Sequence, residues 1–317
     1  MKRFIEYTAI FLLSVLLCAC NNNTFVQPLL DDVNEHDVKC GSPVNIRFTR
    51  SGWKIYNVSG NENLNGDIFD INGRLIKHSS KLEGEGLLKM VYSSDLLSFR
   101  IERREFDKLD IIVDENLYDE NRELSVEVGD DDERKCIKLN CIPGSKYKLD
   151  SIRYDYSRCE ISTTTTRAKY TVTYDNSASG SIMISGIYPY VNEKCRLIIH
   201  VDSIVPNFNR IFGIPVPTIK VPVIDNGNLC EDAISMELIP DNIQEYPLPM
   251  PDDELVEIKV NPGMIERFQL NLVYDEYKLP YKMYLSNFES GRTRIYTGEI
   301  TYSCPYKYVI LKLNSQK

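Results

Sequence analysis

The sequence predicts an all-β chain with two tandem antiparallel, Ig-like β-sandwich domains. Segments that alternate apolar and polar residues recur along the chain, turn-forming residues separate them, and no amphipathic stretch is long enough to predict a helix. Alternation places successive side chains on opposite faces, as a half-buried strand requires. Many short strands with regular turns favour an antiparallel sandwich over an α/β fold.

The amino terminus has the layout of a secretory signal. A basic start precedes an apolar run over residues 7–17, and the chain turns polar directly after Cys20. The run is well short of the roughly 20 residues that a membrane-spanning helix needs. We therefore expect residues 1–19 to be a signal peptide, and residues 20–40, which show no sustained periodicity, to be a tether.

The end of the apolar run, Leu17-Cys18-Ala19-Cys20, resembles the lipobox of bacterial lipoproteins. The resemblance implies a diacylglyceryl thioether and an N-acyl chain on Cys20, and several acyl chains are what stable anchoring needs. An ordinary signal peptide cleaved after Ala19 is the alternative. Asn21 stands where an aspartate would mark retention in the inner membrane, which implies the outer membrane of a Bacteroidota-like envelope and leaves the leaflet open.

The composition is that of a folded globular protein. Of the 317 residues, 43% are hydrophobic and 26% are charged, which is too apolar for a disordered chain. Lys and Arg number 37 against 46 Asp and Glu, for a net charge of −9, and no run of five basic residues occurs. This acidic chain cannot exploit counterion release from phosphates, which argues against a nucleic-acid partner.

The first sandwich domain is predicted over residues 41–158. Asn72-Gly73 supplies the left-handed conformations that a two-residue hairpin turn needs. Trp53 shares a strand face with Ile55 and is predicted to lie in the core. The predicted strands cover residues 44–48, 53–58, 67–71, 75–77, 87–92, 98–101, 109–113, 124–128 and 136–139.

Residues 109–155 contain an apolar strand, an acidic bend at Glu115-Asn116, a second strand, an acidic tip and a third strand. This order resembles the closing strands of the Ig-like BACON-type modules found in Bacteroidota lipoproteins and glycan-degrading enzymes. In those modules the last strand usually ends in glutamine, whereas this chain has Asn140-Cys141. The resemblance implies an Ig-like fold and carbohydrate binding.

The second sandwich domain is predicted over residues 159–317. Two proline-rich segments, 214–222 and 246–251, are predicted to be edge strands or extended loops, because proline has no amide hydrogen to donate to a sheet. The predicted strands cover residues 168–174, 181–187, 196–201, 255–260, 268–273 and 306–313, with a hairpin formed by 281–288 and 294–302.

Neither a cofactor nor a metal site is predicted. The chain has no Cys-x-x-Cys motif, and its three histidines, His36, His78 and His200, are isolated in sequence. Seven cysteines remain besides the lipobox pair, an odd number in a compartment that permits disulfides, and their pairing stays open. They are Cys40, Cys136, Cys141, Cys159, Cys195, Cys230 and Cys304.

No catalytic constellation is predicted, and the chain is not expected to be an enzyme. His200 lies in a strand-like run and shares a face with Asp202. A hydrogen-bonded strand histidine is the preferred interpretation, because no nucleophile elbow accompanies it. A hydrolase is therefore only the third hypothesis for function.

The leading hypothesis is a non-catalytic binding module for glycan or protein at the cell envelope. Exposed flat rings are common in sugar sites, and a surface stripe of tyrosines near the carboxyl end is the predicted binding surface, although tyrosine is also a good strand former. These candidates are Tyr281, Tyr284, Tyr296 and Tyr302. The alternative is a structural or assembly component, such as a pilus-like subunit, that pairs with another chain through an edge strand.

Overall fold

A computed structural model describes residues 28–30, 35–202, 208–225 and 228–316, and its regular structure is almost entirely β. The predicted signal peptide and Cys20 lie outside these residues. No helix in the described part of the chain is long and apolar enough to cross a membrane. The chain divides into two compact units between Gly144 and Ser145, whereas the sequence prediction placed the boundary between Arg158 and Cys159.

The first unit contains two sheets. Their strands are β1 (Glu35–Val38), β2 (Pro43–Arg47), β3 (Lys54–Gly60), β4 (Gly66–Asp70), β5 (Leu75–Ser79), β6 (Leu88–Ser93), β7 (Leu97–Glu105), β8 (Lys108–Asn116), β9 (Arg122–Gly129) and β10 (Arg134–Cys141). A four-stranded sheet has the order β1-β10-β9-β3, and a six-stranded sheet has the order β2-β8-β7-β6-β4-β5.

One hydrophobic core joins the two sheets of the first unit. Val126 and Leu139 come from the four-stranded sheet, and Phe99 and Ile111 come from the six-stranded sheet. Burial alternates along β9 as the sequence alternates, which puts one face of the strand into this core. The all-β prediction is confirmed, and all pairings except the parallel β1–β10 pair are antiparallel in this unit's sheets.

The part of the predicted tether that the structure describes, residues 28–30 and 35–40, belongs to the first unit and is not a free linker. Residues Glu35–Val38 form β1, which pairs in parallel with β10. Leu29 is fully buried in the core, and its amide donates to the Glu133 carboxylate at 2.8 Å. The backbone pairing with β10 holds β1 in the sheet. The sequence of β1 therefore shows no alternation from which the strand could be predicted.

Trp53 lies in the core, as the sequence predicts. Phe48 stacks on its ring with centroids 3.8 Å apart, and the Arg103 guanidinium lies 3.6 Å from the ring centroid. Arg103 is only 2% exposed. Its Nη1 donates to the Trp53 carbonyl at 2.6 Å, and its Nη2 donates to the carbonyls of Ser51 and Phe106 at 2.8 and 3.1 Å.

The Asn72-Gly73 turn differs from the predicted two-residue hairpin. Gly73 has a φ of +82°, the left-handed conformation that favours glycine, and no such value occurs at Asn72. The Asp70 carboxylate accepts the amides of Asn72 and Arg74, each at 2.9 Å. The hairpin β4–β5 therefore closes through a longer turn that an aspartate side chain organises.

The second unit is built on one long sheet. Its strands are β11 (Lys148–Tyr154), β12 (Glu160–Asp175), β13 (Met183–Ile187), β14 (Cys195–Val201), β15 (Thr218–Asp225), β16 (Asn228–Glu237), β17 (Gln244–Tyr246), β18 (Val256–Val260), β19 (Ile265–Ser286) and β20 (Thr293–Gln316). The long sheet has the order β11-β19-β20-β14-β17, with β12 also beside β19, and the pairs β13–β18 and β15–β16 form two further sheets.

The sequence predicts four strands between residues 268 and 313, but the structure has two long strands there. β19 has 22 residues and β20 has 24, so this hairpin extends about 70 Å at the rise of a strand. Asp275 and Pro280 remain extended inside β19, and Pro305 lies in β20 beside the register shift at Val273 and Tyr274. The hairpin predicted across residues 289–292 is confirmed, and the second sandwich is replaced by this longer architecture.

The two small sheets pack against opposite faces of the long sheet, because Phe268 and Leu270 lie an odd number of residues from Tyr277 on β19. Ile187 and Val260, from the β13–β18 pair, pack in one cluster with Phe268 and Leu270 of β19. The β15–β16 pair is tied to the same strand, because the Tyr277 hydroxyl donates to the Pro222 carbonyl at 2.7 Å. Pro222 lies at a register shift in β15, where a missing amide donor is tolerated.

Cys195 and Cys304 form a disulfide between β14 and β20, 109 residues apart in sequence. Arg196 and Ser303 are paired in register, so the two cysteines beside them lie directly across from each other. Both are buried. Cys136 and Cys141, by contrast, are unbridged thiols on β10, the first exposed and the second buried, and burial raises the pKa of the Cys141 thiol to about 12.

Candidate functional site

Two of the four tyrosines in the predicted stripe are buried, and the other two are half-buried. Tyr281 is 2% exposed and Tyr302 is 4% exposed. Tyr296 is half-buried and packs edge-on against Phe208, with ring centroids 5.3 Å apart. Tyr284 is also half-buried, and it lies beneath the Arg153 guanidinium.

The strand register explains this correction. Tyr281 pairs with Gly298, and Tyr296 pairs with Met283, so both rings project from the face of the long sheet that carries the β15–β16 pair, which we call the covered face. Tyr302 pairs with Tyr277 on that same face, and the two rings stack with centroids 5.1 Å apart. Burial raises the pKa of the Tyr302 phenol to about 12. Tyr281 and Tyr302 therefore belong to the core and are not exposed rings on which a ligand could stack.

The other face of the long sheet carries a groove of about 670 Å³. Strand register builds it, because directly opposed residues point to the same side. Ser303 of β20 lies between Glu276 of β19 and Arg196 of β14. We call this surface the β19–β20 groove; it is lined by Glu160, Ile161, Ser162, Arg167, Arg196, Ile198, Ile243, Glu276, Tyr277, Lys278, Thr301, Tyr302 and Ser303.

A second row of residues runs parallel to the first. Thr301 of β20 lies between Lys278 of β19 and Ile198 of β14, and Glu160 of β12 pairs with Lys278. Ile243, at the end of this row, is 54% exposed. The two rows together present charged groups and hydroxyls beside a short apolar strip.

Two ion pairs engage three of the charged residues that line the β19–β20 groove. The Arg167 guanidinium pairs with Glu276, and it also donates to the Ser303 hydroxyl at 3.3 Å. Ser303 in turn donates to Glu276 at 3.0 Å, and Arg196 pairs with Glu245 at 3.4 Å. A charged ligand would have to break these pairs, whereas a neutral one with hydroxyl groups could bond to both partners.

His200, the histidine considered for catalysis, is hydrogen-bonded to an aspartate from a neighbouring segment. His200 Nδ1 lies 2.9 Å from the Asp241 carboxylate, while Asp202 accepts the Thr297 hydroxyl at 2.6 Å. The interpretation of His200 as a hydrogen-bonded strand histidine is confirmed, with Asp241 as its partner. Within the described ranges, no group of three His, Cys, Asp or Glu side chains is placed to hold a metal ion.

Asp275 is a buried carboxyl whose pKa is raised by burial. It pairs in register with Cys304 of the disulfide, and it lies on the same strand as the covered Tyr277 with one residue between them. Its side chain therefore projects from the covered face, away from the β19–β20 groove. It cannot act as a proton donor to a molecule in that groove.

Sequence reasoning missed the β19–β20 groove. Its residues come from segments far apart in the chain, around positions 160, 196, 243, 276 and 301. The available signal was local: charged residues and hydroxyls alternate with buried ones near 276–278 and 301–303. That pattern marks an exposed strand face, but only the register shows that these faces adjoin.

No protein-family model matches the sequence, and no curated protein matches it. Among solved structures, a lamprey immune protein has a TM-score of 0.35 and 8% identity, covering 88% of this chain and 89% of its own. An aerolysin-like protein from Bombina maxima has a TM-score of 0.27 and 11% identity, covering 54% and 99%. A putative pore-forming toxin from Bacteroides vulgatus has a TM-score of 0.20 and 7% identity, covering 88% and 89%. All three TM-scores are below 0.5, too low to carry an argument about this chain.

Proposed function

We propose that this chain is a non-catalytic binding module of a bacterial outer membrane, anchored through a lipid on Cys20, and that its β19–β20 groove binds a glycan. The observation that carries the proposal is the chemistry of the groove. Arg167 pairs with Glu276 and Arg196 pairs with Glu245, and the hydroxyls of the groove lie beside its isoleucines.

A neutral sugar suits these groups. A sugar hydroxyl both donates and accepts, so it can bond to the Glu276 carboxylate and to the Arg167 guanidinium at once. The C–H face of a sugar ring can pack on exposed aliphatic side chains, and Ile243 and Ile198 supply such a strip. The volume of about 670 Å³ falls within the roughly 300–1,000 Å³ typical of small-ligand sites.

Replacing Arg196 with alanine tests the groove. The side chain is 60% exposed, so we expect a change in the free energy of unfolding of less than about 0.5 kcal/mol. Losing a charged hydrogen-bond donor should weaken the binding of a glycan by about tenfold. The measurement is a glycan array followed by titration with the best ligand.

Arg267→Ala is the matched control, because Arg267 is an exposed arginine on β19 outside the groove. It should leave the affinity unchanged. If Arg196→Ala binds the selected glycan as tightly as the unaltered chain, or if the array detects no ligand, the groove is not a glycan site.

The anchor is proposed from the lipobox, and Cys20→Ser tests it. We expect the unaltered chain, expressed in a Bacteroidota host, to incorporate labelled palmitate and to sediment with the outer membrane. The variant should lose the label and appear in the soluble fraction. If an ordinary signal peptide is instead cleaved after Ala19, both proteins should be unlabelled and soluble. Cys136→Ser is the control for the loss of a cysteine.

Edge-strand pairing is the second candidate function, and β5 favours it. This strand forms one edge of its sheet, and its residues Leu75 and Ile76 are 52% and 60% exposed. An exposed apolar edge is a template for another strand. Recovery of a bound protein chain from membranes, together with a blank glycan array, would favour this candidate over the groove.

A further inference from the structure

Two hydrophobic side chains of the second unit project almost completely into solvent. Phe288 is 94% exposed in the turn between β19 and β20, and Ile214 is fully exposed in the loop before β15. Elsewhere in the described residues, large hydrophobic side chains are at most 61% exposed. Isolated exposed apolar residues are common, but complete exposure of a phenylalanine at a hairpin tip is costly in water.

Both side chains lie beside the same short segment, residues 145–147. The Ser145 amide donates to Glu289 at 2.6 Å, and the Asn287 side-chain amide donates to the Ser145 carbonyl at 2.7 Å. Two residues further on, the Tyr147 amide donates to the Ile211 carbonyl at 2.9 Å. The two loops therefore flank one strand entry, and we call this end of the unit the two-loop tip.

The turn that carries Phe288 is built by hydrogen bonds. Asn287 Oδ1 accepts the amides of Glu289 and Ser290, each at 3.0 Å, and the Gly291 amide donates to the Asn287 carbonyl at 2.9 Å. Gly291 has a φ of +66°, the left-handed conformation that closes the turn. Phe288 is thus held outward by the fold of the turn.

The two-loop tip carries net positive charge on an acidic protein. Its acidic residues are Glu289 and Asp150, while the chain as a whole has a net charge of −9. The basic residues on the same two loops and the adjoining strand entry are Lys146, Lys148, Arg210 and Arg292. The Lys146 ammonium reaches the Arg210 carbonyl at 3.3 Å, which places these loops in direct contact.

We propose that the two-loop tip docks on an anionic lipid surface, with Phe288 and Ile214 entering the headgroup region. Separate protrusions suit a fluid interface, which closes around each side chain, whereas a protein partner generally needs one contiguous complementary patch. Lysine and arginine beside the protrusions add attraction to anionic headgroups. The surface is distinct from the β19–β20 groove, and the inference does not depend on glycan binding.

Tryptophan fluorescence gives a local test. The chain has one tryptophan, Trp53, which is buried, so Phe288→Trp adds a reporter at the tip against a constant background. With vesicles of brominated phosphatidylglycerol we expect the fluorescence of the added tryptophan to fall by roughly half, because bromine quenches only at contact depth in the interface. Vesicles of brominated phosphatidylcholine should quench it much less.

Ile184→Trp is the matched control, since Ile184 is 61% exposed on β13 and lies outside the tip. The amino-terminal segment is the same in both variants, so any vesicle binding that it causes affects both equally. Stronger quenching at position 288 than at position 184 supports the proposal. Equal quenching at the two positions, or none at 288 while the protein sediments with vesicles, overturns it.

The double variant Phe288→Ser with Ile214→Ser supplies an independent readout. Its partitioning onto phosphatidylglycerol vesicles should fall by about tenfold, since most of the apolar surface that enters the interface is gone. The exposure of both positions leaves the fold intact, which circular dichroism checks. Unchanged partitioning together with loss of a co-purifying envelope protein would identify the tip as a protein-docking surface and overturn the lipid proposal.

Discussion

Arg103→Ala should lower the free energy of unfolding of the first unit by about 3–5 kcal/mol. The guanidinium is 2% exposed and supplies donors to three backbone carbonyls, those of Trp53, Ser51 and Phe106. Alanine would leave these acceptors without their donor and open a void against the Trp53 ring. Burial already lowers the pKa of Arg103, a sign that the protein places this charge away from water.

Urea denaturation followed by Trp53 fluorescence measures the change, because this single tryptophan lies against the arginine. The midpoint should fall while the slope with denaturant stays the same. Arg104→Ala is the neighbouring control: its side chain is 68% exposed and pairs with Glu102, so its loss should cost less than about 1 kcal/mol. Equal midpoints for the two variants would contradict a stabilising role for Arg103.

The double variant Cys195→Ala with Cys304→Ala should destabilise the second unit by about 3–5 kcal/mol. The disulfide closes a loop with a sequence separation of 109 residues, so its loss releases a large conformational entropy in the unfolded chain. Both cysteines are also buried, and alanine removes their packing. Calorimetry of the unaltered protein with and without a thiol reductant should reproduce the shift.

The effect should be confined to the second unit. The Trp53 signal reports the first unit and should keep its midpoint, because the two sites share no partners. Cys136→Ser controls for thiol loss, since Cys136 is exposed and outside the disulfide. A double variant that unfolds at the same temperature as this control would show that the bridge contributes nothing to stability.

Strands of the first unit were predictable because their burial follows their sequence. Residues 124–128 alternate, and they lie in β9, where Leu124, Val126 and Val128 are buried. In the second unit the pattern misled at Asp275 and Pro280, which resemble a break but lie inside one continuous strand. A buried carboxyl and a strand proline are tolerated there because neighbouring strands and a small covering sheet surround them.

The binding surface could not be predicted, because the face of a strand is decided by its partners. Alternation shows that Tyr281 and Tyr284 point to opposite sides, but not which side is covered. The groove residues Arg196, Glu276 and Ser303 are adjacent only through the pairing of three strands. The disulfide could not be predicted from the sequence for the same reason, because pairing depends on distances between strands that the spacing of cysteines in the sequence does not give.

The continuous β19–β20 ribbon restricts where this protein can gain or lose residues. Removing one residue from the middle of β19 would turn every later side chain of that strand to the opposite face, exchanging core and groove residues together. Length changes are expected to be tolerated at the tip turn. They are also expected at the two places where the register between β19 and β20 already shifts, beside Glu266 and beside Val273. Related chains should therefore differ in length at these places and keep the ribbon between them constant.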